Sequence, residues 1–412
     1  MSIKGNVTVV VKDMFSALAI PNYRMLFMGR LTSNSGRTLR VFARAIWVFD
    51  ATGSPLRMGI AVSALSWPML FMPLIGGVVA DRVDRRTLLL WTEGLLVVLW
   101  AAVALLITLN LFEWWYFIIS GVLSGVIQSF GRAGLQAMMG NIVDKDRLGN
   151  AVALDSISLT WPRIVTPALG GLLIGPLGIG GLFWITAIGQ GITFITLILI
   201  EWTPQEMTAS KDSLSNNVIE AFRHIKGEAV IIGFVLLGLL SSLFAGSFNF
   251  LLPIFAVDIL DAGETGLGAL MSSSALGGAL GAAIVLSLSN RKGGRGKLLM
   301  GIAALKTVTL MLFAQSDLFA VSVVAMFGLG ISQTMFMTMV TMGMQQLAPD
   351  HLRGRIMSLR VMIMGFSPFG VIIMGTLAEF YGASTTVLIG GILYGITALS
   401  VFVYLPTLRK YQ

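Results

Sequence analysis

The chain has 412 residues, of which 56% are hydrophobic and only 12% are charged. With a mean hydropathy of +0.85, this composition excludes an ordinary soluble protein and indicates an integral membrane protein. The 28 basic residues exceed the 20 acidic ones, but most of the excess lies in loops beside apolar segments. Membrane orientation accounts for that excess, so we expect no nucleic-acid partner.

Apolar segments recur from one end of the chain to the other. A hydrocarbon core about 30 Å thick requires roughly 20 apolar residues per helix, and twelve segments meet that length. The predicted spans are near 23–49, 56–80, 87–109, 114–139, 151–175, 178–201, 229–252, 265–289, 297–315, 318–342, 356–379 and 384–405.

The short loops between these spans divide by charge. Twelve spans place both termini on one side, and the loops of that side contain almost all of the loop arginines and lysines. Basic loops face the cytoplasm, so both termini are predicted to be cytoplasmic. The start of the chain, "MSIKGNVTVVVKDMF", has no signal-peptide cleavage pattern.

The chain reads as two similar halves. The longest polar stretch separates six spans from six, which predicts an N-terminal half (1–201), a cytoplasmic linker (202–228) and a C-terminal half (229–412). The loop "ADRVDRRTLLL" is matched by "LSNRKGGRGKLLM" about 200 residues later, and "VDKDRLGNAV" is matched by "APDHLRGRIM" at a similar distance. Such duplication is typical of transporters that bind their substrate between the halves near mid-bilayer.

The loop after the second span carries a recognisable motif. "GGVVADRVDRRTLL" resembles the signature Gly-x-x-Ala-Asp-Arg-x-Gly-Arg-Arg-x-x-Leu of the major facilitator superfamily, with Asp84 in place of a glycine. The resemblance implies an all-α fold of twelve transmembrane helices in two pseudo-symmetric halves. It also implies a conformational latch, formed by Gly77, Asp81, Arg82, Arg85 and Arg86, in which the two final arginines pair with carboxylates.

Other segments resemble one bacterial branch of that superfamily. "NYRMLFMGRLTSNSG", "TGSPLRMGI" and "LAPDHLRGRIMSL" are similar to siderophore exporters and macrolide-type drug efflux proteins. This resemblance implies a monomeric, multi-pass protein of the bacterial inner membrane. "TPALGG", at 166–171, is similar to an antiporter motif in which a glycine usually precedes the proline; a bend or a tight helix seam is expected there.

The first span carries an arginine stripe, which we define as Arg30, Arg37, Arg40 and Arg44. At 100° per residue these side chains fall on one side of the helix, and their rise spreads them over about 21 Å. A membrane-buried arginine costs several kcal/mol, so the stripe must face water, acidic partners or a ligand. Alternatively, the outermost arginines reach the interfaces and the inner ones pair internally.

Basic residues outnumber acidic ones inside the spans. Arg132, Arg163, Lys306 and Arg360 join the stripe, whereas Asp50, Glu93, Asp155 and Glu379 are the acids, two of them close to the outer surface. The surplus predicts a cavity that attracts anions, because guanidinium groups suit carboxylate, phosphate or catecholate oxygens. The predicted substrate-binding residues are Arg30, Asn34, Arg37, Arg40, Arg44, Arg132 and Arg163.

The resemblance also bears on the substrate. Many relatives in the drug-export branch have an acid at the position of Arg37, so the charge is reversed here and an anionic substrate is favoured over a lipophilic cation. Proton coupling requires a carboxylate inside the membrane, and Asp155 and Glu93 are the candidates, although either can be a permanent counter-ion to an arginine.

These observations predict a secondary transporter that exports a small anionic or amphiphilic compound by alternating access, driven by the proton gradient. Two alternatives remain: uptake, exchange or uniport of an organic anion or phosphorylated metabolite, and a lipid flippase. Catalysis, a cofactor and a metal site are not expected, because the chain has no cysteine and only two histidines.

Overall fold

The computed structural model describes residues 15–68, 72, 84–201, 229–288, 293–347 and 365–409. Within these ranges the chain is helical and contains no β-strand, because a helix satisfies its backbone donors and acceptors internally in hydrocarbon. The helices before the linker, named the N-half, are α1 (Pro21–Thr52), α2 (Pro55–Ser63), α3 (Arg85–Thr108), α4 (Tyr116–Ile142) and α5 (Leu148–Leu199). Those after it, named the C-half, are α6 (Ala229–Leu240), α7 (Gly263–Leu288), α8 (Arg295–Ala314), α9 (Phe319–Leu347), α10 (Ser367–Tyr381), α11 (Ala383–Tyr404) and α12 (Pro406–Arg409).

Helix α5 contains two predicted spans. Its 52 residues would extend about 78 Å as one straight helix, far more than a bilayer core requires. Gly178 interrupts it with φ 65° and ψ 174°, a backbone conformation that glycine adopts readily. The arms 148–177 and 179–199 therefore correspond to the two separate spans that the sequence predicts.

The span that begins with α6 is irregular. After Leu240 it continues as a π-helix (Ser241–Ala245), a 3₁₀-helix (Ser247–Leu251), a short α-helix (Leu252–Ile254) and a second π-helix (Phe255–Ile259). The Ser247 hydroxyl donates to the Ser242 carbonyl at 2.7 Å, which satisfies an acceptor within the break. Bulges of this kind concentrate at functional sites of membrane helices.

The apolar helices confirm a multi-pass membrane protein. Seven helical segments in the described ranges are long and apolar enough to cross a bilayer. Helix α1 is not among them, although it has 32 residues, because its arginines lower its hydropathy. The linker predicted at 202–228 and parts of other predicted spans lie outside the described residues, so the count of twelve and the domain division remain predictions.

Glycines bring the two halves together along α5 and α7. A Cβ added to Gly171 would lie 2.4 Å from the Glu264 carbonyl oxygen, and one added to Gly268 would lie 2.5 Å from that of Pro167. The Thr265 hydroxyl also donates to the Gly171 carbonyl at 3.3 Å. The "TPALGG" segment thus forms the tight seam expected from its sequence, and the partner is the opposite half.

A carboxylate links the halves along α2 and α10. Glu379 accepts from the Ser54 hydroxyl at 2.8 Å and from the Leu56 amide at 3.2 Å. Ser54 is the N-cap of α2 and accepts from the Arg57 amide, so the carboxylate lies where the helix dipole favours negative charge. Both seams lie at the end of the bundle predicted to face away from the cytoplasm, here named the outer end.

We expect Gly171→Ala to destabilise the α5–α7 seam. Its new methyl group meets backbone atoms of α7 rather than a flexible side chain, and overpacking of this kind costs about 1–3 kcal/mol. The midpoint of thermal unfolding in detergent should fall by several degrees. Gly175→Ala is the matched control, because a Cβ there meets nothing within 4 Å; equal midpoints for the two variants would contradict the seam.

We expect Glu379→Ala to favour separation of the outer ends, because two hydrogen bonds between the halves are lost. The chain has no cysteine, so spin labels can be placed at Ala51→Cys and Phe380→Cys and their distance distribution measured. The fraction of long distances should rise in Glu379→Ala.

Asp317→Ala serves as the control for this measurement, because Asp317 is an exposed carboxylate of the C-half near the same end. An identical distribution in the Glu379 variant and the unmodified chain would rule out a role for Glu379 in holding the outer ends together.

Candidate functional site

Helix α1 occupies the centre of the N-half, and its faces differ in chemistry. Leu39, Phe42 and Ile46 are buried at 4%, 1% and 1% exposure, so this apolar face packs against protein and not against lipid. A Cβ on Gly170 of α5 would lie 2.9 Å from Leu39, which shows how closely the two helices approach. The arginine stripe is therefore directed into the interior of the helical bundle.

Arg30 forms an ion pair with Asp155 of α5, and the two side chains are 17% and 23% exposed. Nearby, the Tyr23 hydroxyl donates to the Ala151 carbonyl at 2.8 Å. The sequence allowed Asp155 to be a counter-ion to an arginine, and in the described residues that arginine is Arg30. Arg30 is thus held inside the bundle and does not extend to the interface.

Asn34 connects α1 to α5 and orients the next arginine. Its amide nitrogen donates to the Ser158 carbonyl at 3.1 Å, while its Oδ1 accepts from Arg37 Nη2 at 2.6 Å. Because one amide group makes both contacts, the position of Arg37 depends on that of α5. The predicted substrate-binding residues Asn34 and Arg37 are therefore neighbours in a single network.

The two deeper arginines stack on aromatic rings. Arg40 and Arg44 are each only 5% exposed, and the Arg40 guanidinium lies 4.4 Å from the centre of the Trp100 ring. Arg44 donates to the Ala61 carbonyl at 3.3 Å and lies 5.3 Å from the Phe117 ring. Cation–π contacts of this kind stabilise a guanidinium in a dry site without neutralising its charge.

A cavity of about 590 Å³, named the N-half cavity, borders the stripe. It is lined by four basic side chains and two acidic ones, which leaves two positive charges in excess. These six residues are Arg30, Arg37, Arg40, Arg163, Glu93 and Asp155. Glu93 accepts a hydrogen bond from Gln190, so its contact is with a neutral amide, whereas Asp155 is paired with an arginine.

The described wall of the N-half cavity comes from one half of the chain. A duplicated transporter predicts a site between the two halves, and the lining residues that the structure describes belong to α1, α3, α4 or α5. The lining residues lie in the parts of these helices nearer the predicted cytoplasmic end, away from the seams at the outer end. The anion-attracting surface is thus built within the N-half.

The structure does not bring all the predicted basic residues to this cavity. Arg44 lines a smaller adjoining pocket, and the side chain of Arg132 lies outside the described residues, as does Arg360. Lys306 is elsewhere: it is fully buried in the C-half, where it donates to the Ser241 hydroxyl at 2.6 Å. Including Lys306 in the charge surplus of the cavity was wrong, because its ammonium group faces Tyr394 and Phe336.

The predicted latch is described only in part. Gly77, Asp81 and Arg82 lie outside the described residues, as does the side chain of Arg85. Arg86 donates to the Ile198 carbonyl at 2.7 Å, so the acceptor found is a helix C-terminus and not the predicted carboxylate.

Asp84, which replaces the glycine of the signature, has a structural role. It is the N-cap of α3, and its carboxylate accepts from the Thr87 amide at 2.9 Å. An aspartate directly before an apolar helical run is a sequence signal for such a cap, so this role was accessible from the sequence.

Sequence reasoning missed two residues of the site. Gln190 is buried at 1% exposure and donates to Glu93; as the single amide side chain of the predicted span 178–201, it was a detectable signal. Trp100 is also 1% exposed and stacks on Arg40. Its role depends on the tertiary packing that places Trp100 of α3 beside Arg40 of α1, which no local pattern specifies.

Comparison with known proteins assigns the family. A family model described as transmembrane secretion effector matches residues 12–411. The chain belongs to this family, within the major facilitator superfamily. Members and relatives are transporters and not enzymes, so the chain is a membrane transporter of the exporter type.

Bacterial relatives share about a quarter of their residues with the chain. The enterobactin exporter EntS of Shigella boydii serotype 18 is 26% identical over 339 residues, which cover 82% of this chain and 80% of that protein. The enterobactin exporter EntS of Citrobacter koseri is 26% identical over 263 residues, which cover 64% of this chain and 62% of that protein. The latter match thus spans less than two thirds of its relative.

Solved structures confirm the fold. The nucleoside transporter NupG aligns with a TM-score of 0.76 and 17% sequence identity, over 95% of this chain and all of that chain (100%). A POT family transporter in complex with 5-aminolevulinic acid aligns with a TM-score of 0.71 and 13% identity, over 94% of this chain and 96% of that one. At these identities the likeness extends to the architecture alone.

Proposed function

We propose that this transporter exports a small anionic or amphiphilic organic compound, siderophore-like or drug-like, by alternating access across the bacterial inner membrane, with both termini in the cytoplasm. The observation that carries the proposal is the excess of arginine over carboxylate in the N-half cavity. Relatives named as enterobactin exporters support the direction. The cavity volume of about 590 Å³ suits a compound of drug size.

Arg37 and Arg163 are the recognition residues in this proposal. Arg163 is an exposed side chain on the cavity wall, and Arg37 is positioned by Asn34 at 2.6 Å. A guanidinium fork binds carboxylate or catecholate oxygens with two hydrogen bonds. Arg30 is less suited to this role because Asp155 already occupies its guanidinium.

The proposal also includes proton coupling, with Glu93 as the preferred site over Asp155. Protonating Asp155 would leave Arg30 without its ion-pair partner in a largely buried position, which is costly. Glu93 accepts a hydrogen bond from the neutral Gln190, so its protonation breaks no ion pair among the described residues. Glu93 also borders the same cavity as Arg37 and Arg40, so its charge bears directly on how strongly an anion is held.

We expect carboxylates, catecholates or siderophores to stabilise the purified protein in a thermal-shift screen. Arg37→Ala or Arg163→Ala should weaken a hit about 10- to 100-fold, because each removes a charge-assisted hydrogen bond. Arg57→Ala is the matched control, since Arg57 is an exposed arginine of the N-half that does not line the cavity.

The same compound is then assayed for movement in proteoliposomes with a pH gradient imposed in either direction. Accumulation in the direction of export supports the proposal. Exchange that does not depend on the gradient, or accumulation in the direction of uptake, would contradict export. Either result would instead support exchange, uniport or uptake of an organic anion. Movement of labelled lipid without any soluble ligand would replace it with a flippase.

We expect Glu93→Gln to abolish gradient-driven accumulation while ligand binding and downhill exchange persist, because the carboxylate that carries the proton is gone. Asp155→Asn should instead lower thermal stability, and Arg30→Gln combined with Asp155→Asn should recover part of the loss. Full accumulation by Glu93→Gln would exclude Glu93 as the coupling residue.

A further inference from the structure

A second, smaller pocket adjoins the deep end of the N-half cavity. Its volume is about 20 Å³, and we name it the blind pocket. Its polar and aromatic lining consists of Arg37, Arg40, Arg44, Trp100, Ser124 and Gln128. Arg37, Arg40 and Gln128 also border the larger cavity, so the two spaces meet at these three side chains. Neither Glu93 nor Asp155 lines the blind pocket.

Two guanidinium groups in this pocket have unsatisfied donors. Arg40 Nη1 and Arg44 Nε are buried and have no hydrogen-bond partner in the part of the chain that the structure describes. Both side chains are 5% exposed, so bulk water does not satisfy them. A buried donor without an acceptor is rare in folded proteins and marks a position where a further group belongs.

The positive charge of the blind pocket also favours a bound anion. Arg40 and Arg44 are four residues apart on one helix, so they lie on the same face, where like charges repel. The two carboxylates of the adjoining N-half cavity have their contacts elsewhere: Asp155 forms an ion pair with Arg30, and Glu93 accepts a hydrogen bond from Gln190. The Trp100 ring stacks on Arg40, but an aromatic face does not cancel a charge.

We propose that the blind pocket binds one small inorganic anion with the charge and size of chloride, between Arg40 and Arg44. About 10–15 Å³ is enough space for one water molecule, so a pocket of about 20 Å³ accommodates a monatomic anion. It is too small for sulfate, phosphate or an organic carboxylate. The guanidinium groups and the Gln128 amide are its donors, since Ser124 already donates to the Gly121 carbonyl at 2.9 Å.

This chloride site goes beyond the export proposal, because the bound chloride is a structural ion and not the transported compound. It neutralises the deep end of the stripe, where the described lining residues include no carboxylate. The organic anion is then held in the N-half cavity by Arg163, which does not line the blind pocket, and by Arg37, which borders both spaces. Binding of the two anions therefore does not compete for one position.

The test is a chloride titration of the full-length protein in detergent, without any organic ligand and at constant ionic strength. Gluconate replaces chloride in the starting buffer, because it is too large for the pocket. The midpoint of thermal unfolding should rise saturably with chloride and with bromide, and should not rise with sulfate. A rise that is equal for all these salts, or no rise, would overturn the proposal.

Arg44→Gln is the decisive variant, with Arg57→Gln as its matched control on an exposed arginine of the same half. The first should require at least about tenfold more chloride for the same stabilisation, because one charge-assisted contact is lost. The second should respond as the unmodified chain does. Equal chloride responses of the two variants would place the anion elsewhere.

Tryptophan fluorescence provides a second measurement that does not depend on whether Arg44→Gln folds. Bromide bound beside Arg40 lies against the Trp100 ring and should quench its emission saturably. Trp100→Phe should remove that saturable component while retaining an aromatic face for Arg40. A saturable component that persists in Trp100→Phe would contradict binding in the blind pocket.

An organic anion identified in the thermal-shift screen allows the chloride site and the export proposal to be tested separately. If the apparent chloride affinity keeps falling as the organic anion is added and reaches no plateau, the two anions compete for one position. The blind pocket would then receive an anionic group of the transported compound, and the proposed chloride site would be overturned. Chloride binding in a protein that binds no organic anion would support the proposed chloride site and contradict the proposed cargo.

Discussion

The requirement that four arginines on one membrane helix be solvated or neutralised shapes the whole N-half. A guanidinium facing hydrocarbon is too costly to sustain, so α1 lies at the centre of the bundle with its stripe turned inward. Each arginine meets this requirement differently: Arg30 by an ion pair, Arg37 by an amide, and Arg40 and Arg44 by aromatic stacking. Among the described residues that line the N-half cavity, two carboxylates face four basic side chains, so these groups alone do not balance the charge.

The contacts between the halves complement this charged interior. Close backbone approach at Gly171 and Gly268, together with the contacts of Glu379, joins the two halves at the outer end. The N-half cavity lies toward the opposite end. In the proposed alternating-access cycle one end closes while the other opens, and contacts at the outer end are those that a state closed at that end requires. The break after α6 is packed against α10, where the Ser247 hydroxyl reaches the Ser367 carbonyl at 3.4 Å, so the irregular backbone is supported within the protein.

Much of the fold was predictable because its causes are local. Hydropathy located the spans, the positive loops gave a predicted orientation, and the signature loop indicated the superfamily, which the family match over residues 12–411 confirms. The site was less predictable. Its charged residues were identified, but the position of the cavity within the N-half and the role of Gln190 required the packing of α3 and α5 around α1. Lys306 illustrates why the sequence did not predict the whole site. Counting the charges inside the predicted spans assigned Lys306 to the cavity, but its side chain is bound in the C-half to Ser241.

The sequence by itself determined that this is a membrane transporter and that four arginines share one face of its first helix. Composition indicates the membrane, the duplicated loops and the resemblance of the signature loop indicate a transporter, and helical periodicity, which acts over a few turns, places the arginines on one face. Only the tertiary structure decided which acid or ring each arginine meets, and that Glu379 joins a helix start 325 residues away in the chain. Partners at such separations are selected by helix packing, because an ion pair or a stacking contact depends on distances of a few ångströms that no local pattern fixes.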